Sequence, residues 1–501
     1  GRGAGGEGTA ELERRGDPEP PSGASRHLPP EGEGKSLARV FHADLYGTRA
    51  VKYATLDAGS VEATAWTELA PASPNYFFVP EDGALREEYE RGWKITEAMP
   101  VNVLGFQTHR DDFAIDMDRE ILRSRIAAMR DMTISDGELA RDYALRNNRD
   151  WQITAARKAL CDDERWDSKL IRIAYRPFDC RWGYFSEVAM DYPRRELIEN
   201  VAGKENTCLG IGRAGVAVNE PVWSLQTVSH APMDANIYRR GGVNIFPLWL
   251  YPREATDLLD TAPHEKTANL APEFVAALTE AVGDTPTPED TLAYIYAILY
   301  APSYRTRYAE FLKRDFPRVP LTANRKLFDT LVGIGRELIA LHTMQATLPR
   351  ITGFPVAGSN EVAKVRYTLP SPPGRGVGGE GTNTHRVALR KTEPSPGAAR
   401  HPLPVGEGNT ALLPGGEANS GRVWINDAQY FDGVPEAVWD MHIGGYRVAE
   451  KWLKDRKGRL LSFDDIEHYQ RVIAALARTL ALQAELDAAV TSAGGWPLHR
   501  R

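Results

Sequence analysis

Cysteine is scarce in this chain of 501 residues, which contains only Cys161, Cys180 and Cys208. Their wide separation fits neither a tetrahedral zinc site nor a disulfide framework. The sequence also lacks an apolar run of about 18 residues, the length that a membrane-spanning helix needs. Its first residues contain neither the basic nor the apolar segment of a signal peptide. We therefore expect a cytoplasmic protein with reduced thiols and without a membrane partner.

Motifs for methyl transfer, DNA cleavage and ATP hydrolysis are also missing. A DNA adenine methyltransferase holds the extruded base with a loop such as Asn-Pro-Pro-Tyr, whereas the nearest segment, at 73–76, reads Ser-Pro-Asn-Tyr. Residues 361–364 supply only a fragment of a nuclease metal site, and no G-x-x-x-x-G-K-[ST] loop occurs. His230, His342 and His442 lack partners at ligand spacing, so we predict structural roles for them. We expect no catalytic residue, metal or cofactor in this chain.

Positive charge is not in excess over the whole chain, whose net charge is -7. This value argues mildly against a polyanionic partner. Two stretches depart from it: residues 299–326 carry seven basic and two acidic side chains, and residues 445–459 carry six basic and two acidic ones. Such stretches are more often solvated faces than binding sites, so they permit nucleic-acid binding without establishing it.

Two distant segments rich in glycine, proline and charge resemble each other. Gly-Arg-Gly-Ala-Gly-Gly-Glu-Gly-Thr at 1–9 is matched by Gly-Arg-Gly-Val-Gly-Gly-Glu-Gly-Thr at 374–382. Such compositions bury too little apolar surface to offset the entropy lost on ordering. We therefore predict disorder at 1–35 and in an insert at 370–420. A mobile DNA element inserted twice would explain the repeat and would allow for missing upstream coding sequence.

The remaining sequence combines strand and helix patterns. Ile171, Ile173 and Tyr175 alternate with polar neighbours, which predicts a strand running into a turn, and residues 246–251 predict a short buried strand. Thr287, followed by a proline and two acidic residues, is typical of a helix start.

Further helices are predicted through 304–312, through 327–339 and from Ser462 onwards. The predicted fold is mixed α/β (α+β). It comprises a strand-rich mixed α/β part at 36–260, a helical subdomain at 265–350 and a C-terminal part, with a long helix, at 421–490.

Residues 210–215, Gly-Ile-Gly-Arg-Ala-Gly, fit the G-x-G-x-x-G pattern of a pyrophosphate-binding turn. The flanking residues favour neither a buried parallel strand before the pattern nor a long helix after it. Two interpretations stay open: a tight turn within a sheet, which we favour, and a site for the methyl donor S-adenosylmethionine.

An arginine-rich segment, Tyr-Arg-Pro-Phe-Asp-Cys-Arg-Trp at 175–182, is followed by Tyr-Pro-Arg-Arg at 192–195. Guanidinium groups form paired hydrogen bonds with guanine or hold phosphates, so arginine-rich turns between strands suit DNA reading. An ion pair of Asp179 with Arg176 or Arg181 would instead lock the turn. The residues leave both interpretations open.

Six segments in this order resemble those of one known family. They are Tyr-Arg-Pro-Phe-Asp-x-Arg-Trp at 175–182, Phe-Pro-Leu-Trp-Leu-Tyr-Pro at 246–252, Tyr-Ile-Tyr-Ala-Ile-Leu at 294–299, Tyr-Arg-x-Arg-Tyr at 304–308, Asp-Phe-Pro-Arg-Val-Pro at 315–320 and Ile-Gly-Gly-Tyr-x-Val-x-x-Lys-Trp-Leu-Lys-Asp-Arg at 443–456. Over roughly 38–490, without the insert, the chain resembles the C-terminal specificity domain of type ISP restriction-modification enzymes.

This resemblance implies a module that binds double-stranded DNA and reads its sequence, and we expect it not to be catalytic alone. Methyltransferase and nuclease-helicase domains or subunits would be its partners, and S-adenosylmethionine, ATP and Mg²⁺ are expected only there. The candidate base-reading residues are Arg176, Arg181, Arg194, Arg195 and Arg213, and the candidate phosphate contacts are Arg305, Arg307 and Lys454. The alternatives are a methyltransferase in its own right and a non-functional relic fragment.

Overall fold

The computed structural model describes residues 38–71, 76–80, 82–212, 222–239, 241–252, 265–370 and 420–498. Residues 1–35, Arg213 and nearly all of the segment at 370–420 lie outside these ranges, so the expectations for them stay predictions. The chain divides into two units, residues 1–83 and 84–501. The domain limits expected from the sequence also stay predictions.

The first unit contains a short antiparallel strand pair and one helix. Strand β1 (Val40–His42) pairs with β2 (Thr67–Leu69), and helix α1 (Arg49–Ala58) lies between them in the chain. Thr48 caps α1 by accepting a hydrogen bond from the Val51 amide. No residue of α1 is buried.

Antiparallel sheets form the strand-rich part of the second unit. A four-stranded sheet has the order β4 (Val103–Leu104), β10 (Val243–Pro247), β8 (Cys208–Gly212) and β9 (Gln226–Ser229). A three-stranded sheet has the order β5 (Ile115–Asp116), β7 (Asp179–Tyr184) and β6 (Leu170–Arg176). Strand β6 confirms the alternation seen at 171–175. The strand expected at 246–251 is interrupted, because β10 ends at Pro247 and a separate strand follows.

Smaller sheets complete the strand content that the structure describes. They pair β3 (Trp93–Lys94) with β13 (Arg318–Val319), β11 (Trp249–Leu250) with β12 (Thr267–Ala268), β15 (Ser420–Trp424) with both β14 (Arg366–Thr368) and β16 (Tyr430–Pro435), and β17 (His442–Ile443) with β18 (Tyr446–Arg447).

Helices account for most of the regular structure described after residue 270. In the described ranges they are α2 (Gly83–Glu90), α3 (Ile95–Ala98), α4 (Asp111–Ala114), α5 (Arg119–Arg130), α6 (Asp136–Asp142), α7 (Ile153–Cys161), α8 (Arg195–Asn200), α9 (Pro272–Val282), α10 (Pro288–Tyr300), α11 (Pro302–Arg307), α12 (Ala309–Leu312), α13 (Arg325–His342), α14 (Glu436–Trp439), α15 (Val448–Lys454) and α16 (Phe463–Ser492). Among them, α10, α13 and α16 pack together. The mixed α+β prediction is confirmed.

Helix α10 is the centre of the group formed by α10, α13 and α16, because all of residues 291–300 are buried. It begins as predicted, with Thr287 accepting a hydrogen bond from the Asp290 amide at 3.1 Å. Helix α13 packs closely against it: a Cβ on Gly335 would lie 2.0 Å from the carbonyl oxygen of Ala293. This close approach requires glycine, so helices α10 and α13 pack backbone to backbone.

The helix expected through 304–312 is instead two short helices, α11 and α12. The chain leaves helical geometry at Tyr308, whose φ and ψ are -104° and 21°. The long helix predicted from Ser462 is confirmed as α16, and a capping box of Ser462 with Asp465 closes its first turn.

Among the described residues, no helix has the length and apolar character needed to cross a membrane. The same residues contain no group of three or more His, Cys, Asp or Glu side chains placed to hold a metal ion. All three cysteines are free thiols.

Candidate nucleic-acid interface

The hairpin of β6 and β7 carries a buried charged cluster at its turn. This cluster, here called the Asp179 cluster, consists of Asp179, Arg176, Arg181, Asp234, Asp455 and Arg456. The Asp179 carboxylate is 2% exposed. It accepts hydrogen bonds from Arg181 Nη2 at 2.7 Å and from Arg456 Nη2 at 2.9 Å. Burial raises the pKa of Asp179, but the positive charges of Arg456 and Arg181 outweigh burial and hold the pKa below its usual value. Asp179 is therefore a charged carboxylate saturated by two arginines.

Tyr175 joins two guanidinium groups of this cluster. Arg176 Cζ lies 3.8 Å and Arg181 Cζ 4.0 Å from the centre of the Tyr175 ring. The Tyr175 hydroxyl donates a hydrogen bond to Asp111 Oδ2 at 3.0 Å. The hairpin arginines are thus held by ring contacts as well as by carboxylates.

Arg176 pairs with a carboxylate from another part of the chain. Its Nη1 lies 3.4 Å from Asp234 Oδ1, and the Arg176 side chain is 11% exposed. Burial raises the pKa of Asp234 to about 6, and the charge of Arg176 opposes this rise only in part. Asp234 is therefore the least well compensated acid of the cluster.

Residues after helix α15 close the cluster. Asp455 accepts from Arg181 at 3.3 Å and also pairs with Lys451. Arg456 lies over the Trp452 ring, with Cζ 3.4 Å from its centre. The cluster therefore ties the hairpin to the C-terminal segment. The turn-locking ion pair considered from the sequence exists for Arg181, whereas the partner of Arg176 is Asp234.

The outward side of the hairpin presents a different surface, the Arg172 face, made of Arg172 and Trp182. These residues oppose each other in register, and Arg172 Cζ lies 5.3 Å from the Trp182 ring centre. Arg172 is exposed, its Nη2 donates to the Cys180 carbonyl at 2.6 Å, and it forms no ion pair within the described residues. Sequence reasoning missed Arg172. The alternation of Ile171 and Ile173 was the available signal, since it points residue 172 to the other face.

Arg194 and Arg195 lie at the start of helix α8; Arg194 is half-buried and Arg195 is exposed. Arg194 adopts a positive φ of 67°, and its Cζ lies 4.9 Å from the Tyr192 ring centre. The Arg195 side chain is 68% exposed and pairs with Glu199 at 2.6 Å. An exposed pair of this kind adds little stability, so the Arg195 guanidinium can exchange its partner at low cost.

Acidic residues from other segments neutralise part of the basic stretch at 299–326. Arg307 binds Glu88 at 2.6 Å, and Arg325 pairs with Asp284 and Asp329. Arg318 donates to the Gly92 carbonyl at 2.9 Å. Acids outside the stretch thus offset its positive excess only in part, at Arg307 and Arg325.

The second basic stretch, at 445–459, is also largely paired. Lys454 is exposed and pairs with Glu450 at 2.8 Å, and Arg447 pairs with Asp440 at 3.0 Å. Lys457 and Arg459 are exposed, and neither forms an ion pair with a described residue. A modest positive surface thus remains next to Lys454.

Arg305 lines a cavity of about 390 Å³ and does not lie on the exposed surface. The residue is 8% exposed. It has no ion-pair partner among the described residues, and its Nη2 lies 3.4 Å from the Tyr300 carbonyl oxygen. Its environment therefore differs from that of the other candidate arginines.

The glycines of the G-x-G-x-x-G pattern that the structure describes lie within the buried strand β8. A Cβ on Gly210 would lie 2.6 Å from Met233 Sδ, and one on Gly212 would lie 2.5 Å from Leu225 Cβ. Strand β8 pairs antiparallel with β9 and β10, whereas a pyrophosphate-binding turn joins a strand of a parallel sheet to a helix. Close packing accounts for Gly210 and Gly212, and residues 213–215 lie outside the described ranges.

The histidines have structural environments. His342 is buried, with Nδ1 2.6 Å from the Tyr296 hydroxyl and Nε2 2.9 Å from Thr479 Oγ1. Burial lowers the pKa of His342 to about 3, so the ring is neutral at pH 7. Nδ1 of His230 and Nδ1 of His442 lie within hydrogen-bond distance of main-chain carbonyl oxygens.

Comparison with known proteins gives one family and several similar structures. Residues 97–484 match the model of the Type ISP C-terminal specificity domain. A search of curated proteins gives no match. A nuclease-deletion mutant of the Type ISP restriction-modification enzyme LlaGI, in complex with a DNA substrate mimic, is 17% identical with a TM-score of 0.56, covering 89% of this chain and 33% of that one.

Two further structures have the same kind of similarity. The ATP-dependent Type ISP enzyme LlaBIII bound to DNA is 16% identical with a TM-score of 0.55, covering 84% of this chain and 25% of that one. The DrdV-DNA complex is 17% identical with a TM-score of 0.55, covering 87% and 41%. These likenesses show a shared fold. The present chain spans between a quarter and about two fifths of the structures that it matches.

Proposed function

Because the chain belongs to the family of type ISP C-terminal specificity domains, we propose that it binds double-stranded DNA and reads a target sequence for a restriction-modification enzyme. The family match over residues 97–484 carries this proposal. The similar structures of LlaGI, LlaBIII and DrdV, each solved with DNA or a DNA mimic, support it.

The energetic balance supports a positioning role for Arg176 and Arg181 in DNA reading. Removing a buried charge from its partner costs about 3 to 5 kcal/mol, whereas a good paired hydrogen bond to a base contributes about 1 to 3 kcal/mol of discrimination. Both arginines would have to leave buried carboxylates to reach a base edge. They hold the hairpin in place, and other residues contact the DNA.

The Arg172 face, Arg194 and Arg195 are the proposed DNA-reading residues, together with Arg213, which lies outside the described ranges. Arg172 is exposed and forms no ion pair with a carboxylate among the described residues, so no such pair has to break when it binds DNA. The Trp182 ring fixes its guanidinium plane, which reduces the entropy lost when that plane meets guanine. Arg307 and Lys454 are the proposed phosphate contacts. Lys454 forms an exposed ion pair that a phosphate can replace at small cost, whereas Arg307 is held by two hydrogen bonds to Glu88.

We further propose that methyl transfer, ATP hydrolysis and cleavage belong to domains or subunits other than this one, where S-adenosylmethionine, ATP and Mg²⁺ would bind. The packing of Gly210 and Gly212 inside strand β8 supports this proposal. Calorimetric titration of the whole chain with S-adenosylmethionine should give no binding heat. Saturable heat would favour a methyltransferase in its own right.

The experiment that tests DNA reading is selection from a randomised duplex pool at two salt concentrations, followed by sequencing of the retained fraction. We expect an enriched motif and retention that falls steeply as salt rises, because released counterions drive phosphate contacts. A chain carrying Arg350→Ala, which removes an exposed ion-paired arginine, serves as the control. Retention without enrichment would overturn sequence reading, and no retention would overturn DNA binding.

A further inference from the structure

A cavity of about 390 Å³ lies between helix α11, strand β9 and the hairpin of β17 and β18. Polar and charged side chains line much of it: Ser224, Gln226, Tyr300, Arg305, His442 and Gln483. The hairpin is fixed to its neighbours by a hydrogen bond from the Gly444 amide to the Ser224 carbonyl at 2.9 Å. The volume lies within the range of about 300 to 1,000 Å³ that is usual for small-molecule sites.

Arg305 differs from every other buried arginine that the structure describes. The others are Arg86, Arg157 and Arg456. Each of these pairs with a carboxylate, in turn Glu90, Asp136 and Asp179. Arg305 has no such pair within the described ranges; its buried Nε has no hydrogen-bond partner, a feature that it shares with Arg456.

Asp487, the acid that interacts electrostatically with Arg305, is already engaged elsewhere. Asp487 Oδ1 accepts hydrogen bonds from the Ser303 amide at 3.0 Å and from the Ser303 hydroxyl at 2.5 Å. Gln226 Oε1, a buried hydrogen-bond acceptor in the cavity, also has no partner, and a protonated oxygen of a phosphate group can donate to it. Burial lowers the pKa of Arg305, and the interactions with Tyr300 and Asp487 oppose this shift only in part.

An unpaired buried guanidinium costs free energy unless a ligand compensates it. We propose that this cavity binds an oxyanion such as a phosphate group, with Arg305 as its charged ligand. Ser224, Gln483 and the amide nitrogen of Gln226 supply hydrogen-bond donors for the remaining oxygens. Arg305 meets the oxyanion through charge-assisted hydrogen bonds, which are the strong class.

The phosphate group can come from two sources that share this chemistry. One is a free phosphate or small phosphate ester, which requires no other function of the chain. The other is a backbone phosphate of bound DNA, and only this source rests on the proposed DNA binding.

The test is a titration of the whole chain with inorganic phosphate, with thermal unfolding and calorimetry as readouts and chloride at matched ionic strength as the reference. Phosphate should raise the melting temperature in a saturable manner. Arg305→Gln should weaken phosphate binding by about tenfold or more, as expected when a charged hydrogen bond is lost. Arg350→Gln changes an exposed arginine paired with Glu467, away from the cavity, and should leave phosphate binding unchanged.

A second readout separates binding from a structural role. Because Arg305 has no ion pair to lose, Arg305→Gln should melt at or above the temperature of the parent chain when phosphate is absent. Gln226→Leu should weaken phosphate binding and keep the fold. No saturable effect beyond that of chloride, or an unchanged affinity in Arg305→Gln, would overturn the proposal.

Duplex DNA distinguishes the two sources. If a backbone phosphate enters the cavity, Arg305→Gln should weaken all duplexes alike and lower the salt slope by about one, and inorganic phosphate should compete with DNA. If the ligand is free, duplex affinity should not change. A chain that binds phosphate and no DNA would retain this inference and overturn the proposed function.

Discussion

The Asp179 cluster and the Arg305 cavity both place guanidinium groups inside the fold, and they differ in their counter-charges. Arg181 and Arg456 converge on one buried carboxylate, whereas Arg305 has no ion pair within the described residues. A saturated cluster stabilises one arrangement of chain segments, because breaking it leaves an uncompensated charge. An unsaturated arginine is costly by itself, which makes it a candidate for ligand binding.

The two sides of the β6 and β7 hairpin show the same contrast at a smaller scale. On one side, Tyr175 and Asp179 hold Arg176 and Arg181 within the protein. On the other side, Arg172 is exposed over Trp182. Arginine content alone therefore does not identify a DNA-reading surface. The partners of each arginine show which guanidinium groups are held within the protein and which are exposed.

Removal of the shared carboxylate should have the largest effect. Asp179→Asn leaves Arg181 and Arg456 without their buried counter-charge, so we expect a loss of about 3 kcal/mol in the free energy of unfolding. Urea denaturation of the variant and of the parent chain measures this difference in the free energy of unfolding. Asp427→Asn removes an almost fully exposed partner of Arg366 and should cost under about 1 kcal/mol. Equal losses in both variants would end the distinction between saturated and exposed pairs.

Asp234 should make the stability of the cluster depend on pH. Its pKa is raised to about 6 by burial, with Arg176 opposing and Asp111 adding to the rise. An acid whose pKa is raised in the folded state contributes stability that is complete below about pH 4, which is its pKa in the unfolded chain. This stability is lost as the pH rises through about 6, the pKa in the folded chain. From pH 4 to 7 the parent chain should therefore lose about 2 kcal/mol relative to Asp234→Asn.

Urea denaturation of both chains at several pH values checks this prediction. Because the two chains are compared at each pH, the opposite contribution of His342 cancels. A difference between the chains that stays constant over the range would show that Arg176 fully neutralises Asp234.

The Arg172 face can be tested at the level of sequence preference. Arg172→Ala should cost about 1 to 3 kcal/mol at one position of an enriched duplex and relax the preference there. Lys454→Ala should weaken the affinity for all sequences alike, and by less than Arg172→Ala weakens it at its one position. It should also lower the slope of log affinity against log salt concentration by about one. Fluorescence anisotropy with single-position duplex variants measures both. A uniform loss for Arg172→Ala would make it a phosphate contact.

Local signals in the sequence predict much of the fold. The caps at Thr287 and Ser462 and the alternation at 171–175 depend on neighbouring residues, so they can be recognised without the fold. The break between α11 and α12 was not predicted, because an apolar spacing that suits one helix continues across Tyr308. Six ordered segments also sufficed to identify the family.

The partners of the site residues could not be predicted. Arg456 and Asp179 are 277 positions apart, and Arg307 and Glu88 are 219 positions apart. Only the fold brings such residues together, so a local charge count at 299–326 could not show that Arg307 is neutralised. The same limit hid the environment of Arg305, since the sequence cannot show that this arginine is buried without an ion pair among the described residues.

The most direct test of sequence reading is the affinity of the whole chain for its enriched duplex and for a scrambled duplex of equal length, at physiological salt. Specific recognition typically exceeds nonspecific binding by about 10³-fold or more. We expect a ratio of that order for the parent chain and a smaller ratio for Arg172→Ala. Equal affinities of the parent chain for the two duplexes would contradict the account, because the chain would then hold DNA without reading it.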